Sequence, residues 1–158
     1  MSKLLECKNL NKDYGKNQVL KNINLEISSG KIVGLLGKNG AGKTGAFGLG
    51  IVSKIEPDKQ TTQAIVFAHT RELVNQIAGV ISNIAKFTQI KVRAVLSSDK
   101  HEQFFGHIVV ITPGAFQSKF KNFDLLKDLK VLVLDEADFM VTNETTIKVC
   151  DSTFKKFH

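Results

Sequence analysis

The residues of this chain best suited to chemistry lie in one short run, residues 37–44, with the sequence GKNGAGKT. Its spacing fits the pattern G-x-x-x-x-G-K-[ST], in which glycines let successive backbone N–H groups curl around phosphate oxygens. Lys43 would reach the β- and γ-phosphates, and the Thr44 hydroxyl would bind Mg²⁺. A glycine-rich turn without a ligand is the structural alternative. We predict a nucleoside triphosphate site formed by Asn39, Gly40, Ala41, Gly42, Lys43, Thr44 and Gly45.

A second candidate group, Asp135 and Glu136, follows the apolar run at residues 131–134. A carboxylate at the carboxyl end of a parallel strand can help to hold Mg²⁺. Its neighbour can orient or deprotonate an attacking water. We therefore assign Asp135 to the metal and Glu136, with Lys43, to catalysis. Acidic residues also end many strands without binding a metal, which is the structural alternative. The assignment therefore holds only if Lys43 and Asp135 converge on one polyphosphate.

The elements that must position these residues follow an alternating pattern. Short apolar runs typical of buried strands alternate with segments of helical spacing. Such alternation predicts an α/β fold with a parallel sheet that is covered by helices on both faces. We expect strands at residues 32–36, 64–68, 92–96, 107–111 and 131–134, and helices at residues 45–55, 71–87 and 115–120.

The segment before the glycine-rich run has a different pattern. Residues 4–10 alternate loosely, residues 11–17 are rich in turn formers, and residues 19–27 alternate apolar and polar side chains. Period-two alternation is typical of half-buried strands. We therefore expect a small antiparallel element over residues 1–30, attached to a core over residues 31–158 within a single domain.

Composition narrows the class of protein. The 158 residues are enough for one domain with a buried core. Lysine and arginine exceed aspartate and glutamate by 22 to 15, a net charge of +7. A basic surface suits single-stranded RNA or another polyanion, although many lysines are only solvated surface.

Cysteine usage and hydropathy bear on location. Cys7 and Cys150 are far apart and show no metal or redox spacing, which indicates reduced thiols in an intracellular protein, cytoplasmic or nuclear. Apolar runs stay shorter than the ~18 residues of a membrane span. The charged residues that soon follow the N-terminal leucines do not fit a signal peptide. We expect no membrane span.

From about residue 40 onward, the sequence resembles the first RecA-like domain of a DEAD-box RNA helicase, closest to the mRNA-export helicases. Residues 135–138 read DEAD, residues 70–73 read TREL and residues 112–114 read TPG. The resemblance implies Mg-ATP binding and contacts of the two middle motifs with the RNA sugar-phosphate backbone. Arginine charge, threonine hydroxyls and a glycine N–H suit that role. A surface Arg-Glu pair and an ordinary Pro-Gly turn are the alternatives. The implied RNA-binding residues are Thr70, Arg71, Thr112, Pro113 and Gly114.

Residues 1–44 instead resemble the start of an ABC-type ATPase domain. The similarity lies in residues 12–15, residues 19–27 and residues 30–44. In that family the aromatic side chain at the position of Tyr14 stacks on adenine, which any aromatic face can do. A tyrosine packed beside a turn is the alternative. The two resemblances together predict a chimera joined between residues 40 and 45, produced by engineering or gene rearrangement.

The sequence departs from both families. His69 stands where DEAD-box proteins usually have proline, and Ala115 where they often have arginine. The glutamine motif, the Ser-Ala-Thr motif and the second RecA-like domain are missing, as are the ABC signature, glutamine loop and switch histidine. We interpret His101 and His107 as non-catalytic. We expect slow ATP hydrolysis at best.

Without the Ser-Ala-Thr strand, residues 32–36 would either pair beside residues 131–134 or leave a slot in the sheet. Exposed strand edges predict marginal stability or a homodimer. Two alternatives to a helicase-like ATPase remain. One is a non-catalytic nucleotide-binding hybrid, and the other is an ABC-type ATPase fragment.

Overall fold

The computed structural model describes residues 3–14, 17–28, 33–35, 40, 42–99, 105–120, 126–142 and 144–156. The chain divides into two compact units, Met1–Gly50 and Ile51–His158. That the 158 residues form a single nucleotide-binding domain stays a prediction. None of the helices in the described ranges is long and apolar enough to cross a membrane.

The first unit contains an antiparallel hairpin, as the sequence predicts. Strand β1 (Lys3–Tyr14) pairs with β2 (Asn17–Ser28), and Tyr14 lies opposite Asn17. The expected turn over residues 11–17 is too long, because residues 11–14 belong to β1. Both strands are therefore longer than the alternation alone indicates.

Asparagine side chains explain why turn-forming residues remain inside these strands. The N–H of Asn9 donates to Oδ1 of Asn24 over 3.0 Å, and the N–H of Asn22 donates to Oδ1 of Asn11 over 2.9 Å. Asn9 and Asn22 have positive φ values of 53° and 50°, a conformation that asparagine tolerates better than most residues. The register of the β1–β2 pairing shifts on both sides of Leu10. There, the asparagine side chains accept hydrogen bonds that backbone carbonyls of the facing strand would otherwise accept.

The strand predicted at residues 32–36 is not seen where the structure describes it. Residues 33–35 lie in no strand, and Val33 and Leu35 are 44% and 41% exposed. Residues 32 and 36 lie outside the described ranges. An apolar run indicates a tendency to be buried, but a strand also needs a hydrogen-bonded neighbour. The prediction of a strand is therefore wrong for residues 33–35.

Helix α1 (Lys43–Val52) follows the glycine-rich run. The second unit then alternates strands and helices along the chain. Its elements are β3 (Ala64–Phe67), α2 (Arg71–Ile84), β4 (Val92–Val95), β5 (Ile108–Ile111), α3 (Pro113–Lys119), β6 (Val131–Leu134), α4 (Ala137–Met140) and α5 (Glu144–Lys156).

The four strands of the second unit form a parallel sheet in the order β4-β5-β3-β6. Phe67 at the end of β3 lies between Ile111 of β5 and Leu134 of β6. All residues of β3 and β5 are buried, whereas those of β6 are half-buried or exposed. Strand β6 is thus the edge of the described sheet, and the residues that follow β3, β5 and β6 start at one level.

Helices cover both faces of this sheet, as predicted. Helix α2 turns Val74, Ile77, Ala78 and Ile81 inward at helical spacing and lies against β4 and β5. Helices α3 and α5 pack together over the face that carries Ile65 and Phe67. There, Phe67 and Phe116 meet edge to face with ring centroids 5.2 Å apart. The core cluster on this face contains Ile65, Phe67, Val95, Val109, Ile111, Ala115, Phe116, Phe120, Leu126, Met140 and Val149.

Most predicted elements of the second unit occur within a few residues of their expected bounds. Strand β6 has the predicted bounds, and α2 starts at the predicted residue but ends three residues earlier. Helix α3 starts two residues earlier than expected because Pro113 forms its first position. Helices α4 and α5 were not expected from the sequence.

Candidate functional site

A pocket of about 430 Å³ opens in the second unit, where the connections after β3 and β5 meet. Strand register explains its position, because Phe67 and Ile111 are neighbours and the residues after them diverge from the same edge. In open α/β sheets, ligands bind at the carboxyl ends of the strands. The lining residues are His69, Arg71, Ser97, Thr112, Pro113, Gly114, Ala115, Phe139, Met140 and Thr146.

Four of the five residues assigned to RNA from the resemblance line this pocket, namely Arg71, Thr112, Pro113 and Gly114. The fifth, Thr70, is exposed between His69 and Arg71 and does not line it. Two motifs that are 40 residues apart in the sequence are therefore brought together. Their function in RNA binding stays a prediction.

Both threonines of these motifs cap helices. The Thr70 hydroxyl accepts from the N–H of Leu73, and the Thr112 hydroxyl accepts from the N–H of Ala115, each over 3.2 Å. A hydroxyl that accepts one hydrogen bond still has its own O–H to donate. The caps therefore fix the two oxygens at the helix starts without using their donor capacity.

Arg71 opens α2, and its Nη2 donates to Oγ of Ser97 over 2.7 Å. Ser97 lies in the turn after β4, and sequence reasoning gave it no role because the contact depends on how the sheet is ordered. Gly114 is exposed, and no atom of the described residues lies within 4 Å of where its Cβ would be. Packing inside the chain therefore does not require glycine at this position, and the space in front of it is open to a ligand.

The Asp135–Glu136 pair lies at the end of β6 beside the same pocket wall. The Asp135 N–H donates to the carbonyl of Phe67 over 3.0 Å, which continues the pairing of β6 with β3. Glu136 has φ 51° and ψ 52°, a left-handed conformation that is uncommon for a residue other than glycine. Such strained residues are found preferentially at functional sites.

His69 and Phe139, which also line the pocket, lie next to Glu136. Nδ1 of His69 is 3.0 Å from Oε2 of Glu136, close enough for an ion pair but not aligned for a hydrogen bond. The rings of His69 and Phe139 are in contact, with centroids 4.4 Å apart and planes tilted by 36°. Neither residue was predicted as part of a site, although His69 stands out as a departure from the family motif.

The glycine-rich run is described in part. Asn39 and Ala41 lie outside the described residues, as does the side chain of Tyr14, whose backbone ends β1. Gly40 and Gly42 both have φ 81°, a backbone conformation that residues other than glycine rarely adopt. The Gly42 carbonyl accepts from the N–H of Ala46 over 3.0 Å, so α1 starts directly at Lys43. The backbone at these two positions therefore favours glycine, whereas the contact of this run with phosphate stays a prediction.

Lys43, Thr44 and Gly45 form the first turn of α1 and are half-buried. They belong to the first compact unit, whereas Asp135 and Glu136 belong to the second. The convergence of Lys43 and Asp135 on one polyphosphate stays a prediction. Within the described ranges, no three His, Cys, Asp or Glu side chains cluster as metal ligands. The assignment of Thr44 and Asp135 to Mg²⁺ likewise stays a prediction.

Two polar groups at the opposite, amino end of the sheet are structural. The pKa of the Glu56 carboxyl is lowered to about 2, because Lys130, just before β6, and Lys59 both donate to it. His107 is fully buried at the start of β5, and its Nδ1 accepts from the N–H of Lys91 over 2.8 Å. The interpretation of His107 as non-catalytic stays a prediction, and His101 lies outside the described residues.

Comparison with known proteins identifies the family. The family model for DEAD/DEAH box helicases matches residues 17–157. The ATP-dependent RNA helicase DBP5 of Phaeosphaeria nodorum is 38% identical over 111 residues, which cover 68% of this chain and 24% of that protein. The ATP-dependent RNA helicase DbpA of Escherichia coli is 37% identical over 123 residues, which cover 73% of this chain and 27% of that protein.

Solved structures agree with this assignment. Saccharomyces cerevisiae Dbp5 bound to RNA and ADP BeF3 matches with a TM-score of 0.68 and 30% identity, covering 75% of this chain and 31% of that chain. A DEAD box protein from Methanococcus jannaschii matches with a TM-score of 0.64 and 26% identity, covering 75% of this chain and 34% of that chain. The predicted RecA-like α/β fold is confirmed.

The chain spans about a quarter of the length of the curated relatives it matches. The family match begins at residue 17, inside the segment that resembles ABC-type ATPases. The ABC-type resemblance and the chimera therefore receive no support from these matches. Because the match covers most of the chain and includes all three helicase motifs, this chain belongs to the DEAD/DEAH box helicase family.

Proposed function

We propose that this chain binds Mg-ATP and the backbone of single-stranded RNA, as the first RecA-like domain of a DEAD-box RNA helicase. The observation that carries the proposal is the pocket in which Arg71, Thr112 and Gly114 meet. Each offers a group that suits a sugar-phosphate chain: a guanidinium, a hydroxyl and an exposed backbone N–H. The yeast relative whose structure contains RNA and ADP BeF3 supports both ligands.

The polar lining residues Arg71, Ser97, Thr112 and Thr146 can all donate hydrogen bonds, which suits a phosphate-bearing strand. Arg71 supplies positive charge without a carboxylate partner among the pocket-lining residues. The net charge of +7 favours a polyanion over longer distances. Because these groups contact phosphate and sugar rather than base edges, binding should depend little on RNA sequence.

For the nucleotide, support comes from the backbone of the glycine-rich run. Positive φ at Gly40 and Gly42, followed at once by the start of α1, is the arrangement that directs N–H groups at phosphate. In this proposal Lys43 contacts the β- and γ-phosphates, Thr44 and Asp135 hold Mg²⁺, and Glu136 orients the attacking water. Bound magnesium would stabilise charge on the transferred phosphoryl group.

We expect weak hydrolysis or none from the chain alone. The family resemblance implies efficient hydrolysis only when two RecA-like domains close around RNA, and residues 40–158 resemble the first of them. Glu136→Gln should leave Mg-ATP affinity unchanged and remove any phosphate release. Equal turnover in the two proteins would argue against the role of Glu136 and for a non-catalytic nucleotide-binding module.

Isothermal titration with Mg-ATP and Mg-GTP tests the nucleotide site. Lys43→Ala should abolish measurable binding, because the lysine carries the contact with the terminal phosphates. Lys148→Ala is the matched control: it removes a lysine of the same charge from exposed α5, where it pairs with Glu144. Retained affinity in Lys43→Ala, or equal losses in both variants, would contradict the proposed site.

Fluorescence anisotropy with a labelled oligouridylate tests the RNA site. Arg71→Ala should weaken binding by about tenfold or more, since a charged hydrogen bond contributes roughly 1.5–3 kcal/mol. Arg93→Ala is the matched control, because it removes the same charge from β4 outside the pocket lining. Affinity should fall with rising salt, as for any phosphate-dominated complex. Salt-independent binding, or none, would remove RNA from the proposal.

Four narrower proposals concern location, subfamily, association of two copies and adenine stacking. We propose an intracellular location, in cytoplasm or nucleus, and a relation to the mRNA-export helicases.

Association of two copies through β6 is supported by the position of this strand at the edge of the described sheet. A molar mass by light scattering that stays at the monomer value at all protein concentrations would contradict this association. Stacking of Tyr14 on adenine, the ABC-type feature, predicts weaker Mg-ATP binding in Tyr14→Ala.

A further inference from the structure

We propose that His69 is a positioning residue that couples RNA in the pocket to the Glu136 carboxylate. This inference rests on the proposed function, since it needs RNA in the pocket and a role for Glu136 in hydrolysis. It concerns a residue that the motif comparison marks only as a departure, because a histidine stands where related sequences usually have proline.

His69 lies both in the lining of the pocket and beside Glu136. Its side chain lines the pocket together with Arg71 and Thr112, yet its Nδ1 is 3.0 Å from Oε2 of Glu136. The side chain is 20% exposed, so one part of the ring is open to a ligand while the rest is enclosed. No proline could form this contact, because its ring carries no polar group.

The ring of His69 is also held by Phe139. With centroids 4.4 Å apart, the two rings form a continuous wall of the pocket, and Phe139 contributes an exposed face. A strand of RNA that packs against this wall would shift both rings together. Because protein interiors are closely packed, such a shift passes to whatever the ring contacts on its far side.

On the far side of the His69 ring lies the Glu136 carboxylate. The local structure around Glu136 does not fix the position of this carboxylate. Glu136 occupies the N-cap position of α4, but its side chain makes no capping hydrogen bond. Its left-handed backbone places it in a turn that costs energy to hold. A contact that fixes the carboxylate therefore matters, since a displacement of about 1 Å in a catalytic group can cost 10²-fold in rate.

The geometry of the contact between His69 and Glu136 supports a response to a ligand. Nδ1 and Oε2 are close but out of line for a hydrogen bond. A small rotation of the imidazole would align them, and a ligand pressing on the ring is what would produce that rotation. We therefore expect RNA binding to tighten the contact between His69 and Glu136 and to fix the carboxylate.

The test is a titration of the full chain, labelled with ¹³C at glutamate carboxyls, with oligouridylate in the presence of Mg²⁺ and a non-hydrolysable ATP analogue. The Glu136 carboxyl resonance should move on RNA binding, while that of Glu56, at the other end of the sheet, should not. In His69→Phe, which keeps a ring against Phe139 but lacks the nitrogen, the Glu136 response should be lost. The responses are compared at RNA concentrations that saturate each variant, so that a change in RNA affinity does not mimic a loss of the response.

His69→Gln provides the conservative rescue, because its amide N–H can reach the carboxylate, and it should keep the Glu136 response. An unchanged response in His69→Phe would overturn the inference while the proposed function stands. Loss of the response in both variants with RNA binding intact would overturn the role of the nitrogen. If the unaltered chain does not bind RNA, the proposed function fails, and the inference fails with it.

Discussion

Nη2 of Arg71 and Oγ of Ser97 are 2.7 Å apart, a hydrogen bond that joins the start of α2 to the turn after β4. The turn is itself held in place. The Asp99 carboxylate accepts from the N–H of Leu96 over 2.8 Å, and Lys119 of α3 donates to the carbonyl of Asp99. An arginine on the surface is thereby held beside the pocket instead of sampling many rotamers.

Ser97→Ala should therefore weaken RNA binding without removing any phosphate contact. Loss of one orienting hydrogen bond, about 0.5–1.5 kcal/mol, corresponds to a roughly twofold to tenfold rise in Kd. Anisotropy with oligouridylate measures it. Ser98→Ala, the neighbouring serine outside the pocket lining, is the control and should bind as the unaltered chain does. An unchanged Kd in Ser97→Ala would show that Arg71 needs no such support.

The cap of α3 should contribute to the stability of the second unit. Thr112→Ala leaves the N–H of Ala115 without its partner, and we expect the free energy of unfolding to fall by about 1 kcal/mol. Thr112→Ser keeps the oxygen and should recover most of the loss. Urea unfolding followed by circular dichroism measures both variants, and equal stability of Ala and Ser variants would contradict the capping role.

The core should depend strongly on Phe116 and hardly at all on Phe87. Phe116 is 2% exposed and packs against Phe67 and Phe120, so Phe116→Ala should cost about 3–5 kcal/mol. Phe87 is 93% exposed, and Phe87→Ala should change stability by no more than about 0.5 kcal/mol. Chemical denaturation of the pair compares the same substitution in two surroundings. Similar losses would mean that Phe116 is not part of a packed core.

Acid should weaken the contacts of Glu56. The pKa of Glu56 falls from 4.5 to about 2 in the folded chain because Lys130 and Lys59 donate to it, so its contribution to stability is present above pH 4.5 and is lost as the pH falls toward 2. Glu56→Gln should thus be less stable than the unaltered chain at neutral pH, with a difference that narrows in acid. Thermal melts at a series of pH values measure this.

Lys130→Met is the matching control for Glu56. It removes the partner with the largest influence on this carboxyl, so the Glu56 pKa, followed by NMR titration, should rise back toward its ordinary value. A pKa that stays near 2 in this variant would assign the shift to another cause.

The sequence predicts the second unit well where local and tertiary requirements agree. Strand β6 is one uninterrupted aliphatic run that ends in acidic residues, and α2 combines a threonine cap with apolar residues at helical spacing. In α2 the residues that favour the helix are also those that are buried, and in β6 Leu132 packs against the core cluster. The resemblance predicts that the TREL and TPG motifs both contact RNA, and the register of β3 and β5 accounts for the pocket that the motifs share.

The sequence predicts the structure less well where a side-chain contact overrides the local preference of a residue. Asn11 favours a turn, but it remains in β1 because its Oδ1 accepts from the N–H of Asn22 on the facing strand. Ser97 and Phe139 could not be assigned, since their place in the pocket depends on which strands become neighbours. Helix α5 was missed although Glu144 and Lys148 stand at i,i+4 spacing, which is a detectable helical signal.

The common row formed by Phe67, Ile111 and Leu134 has a practical consequence for protein engineering. The segments that carry the TREL, TPG and DEAD motifs each follow one hydrophobic residue of this row. The three segments therefore start at the same level of the sheet, and each can be exchanged without changing the strands. A designer could exchange the stretch after β3 for that of another helicase and expect its side chains to emerge at the correct level. Inserting a single residue before that row would instead shift one motif out of step with the other two and dismantle the pocket.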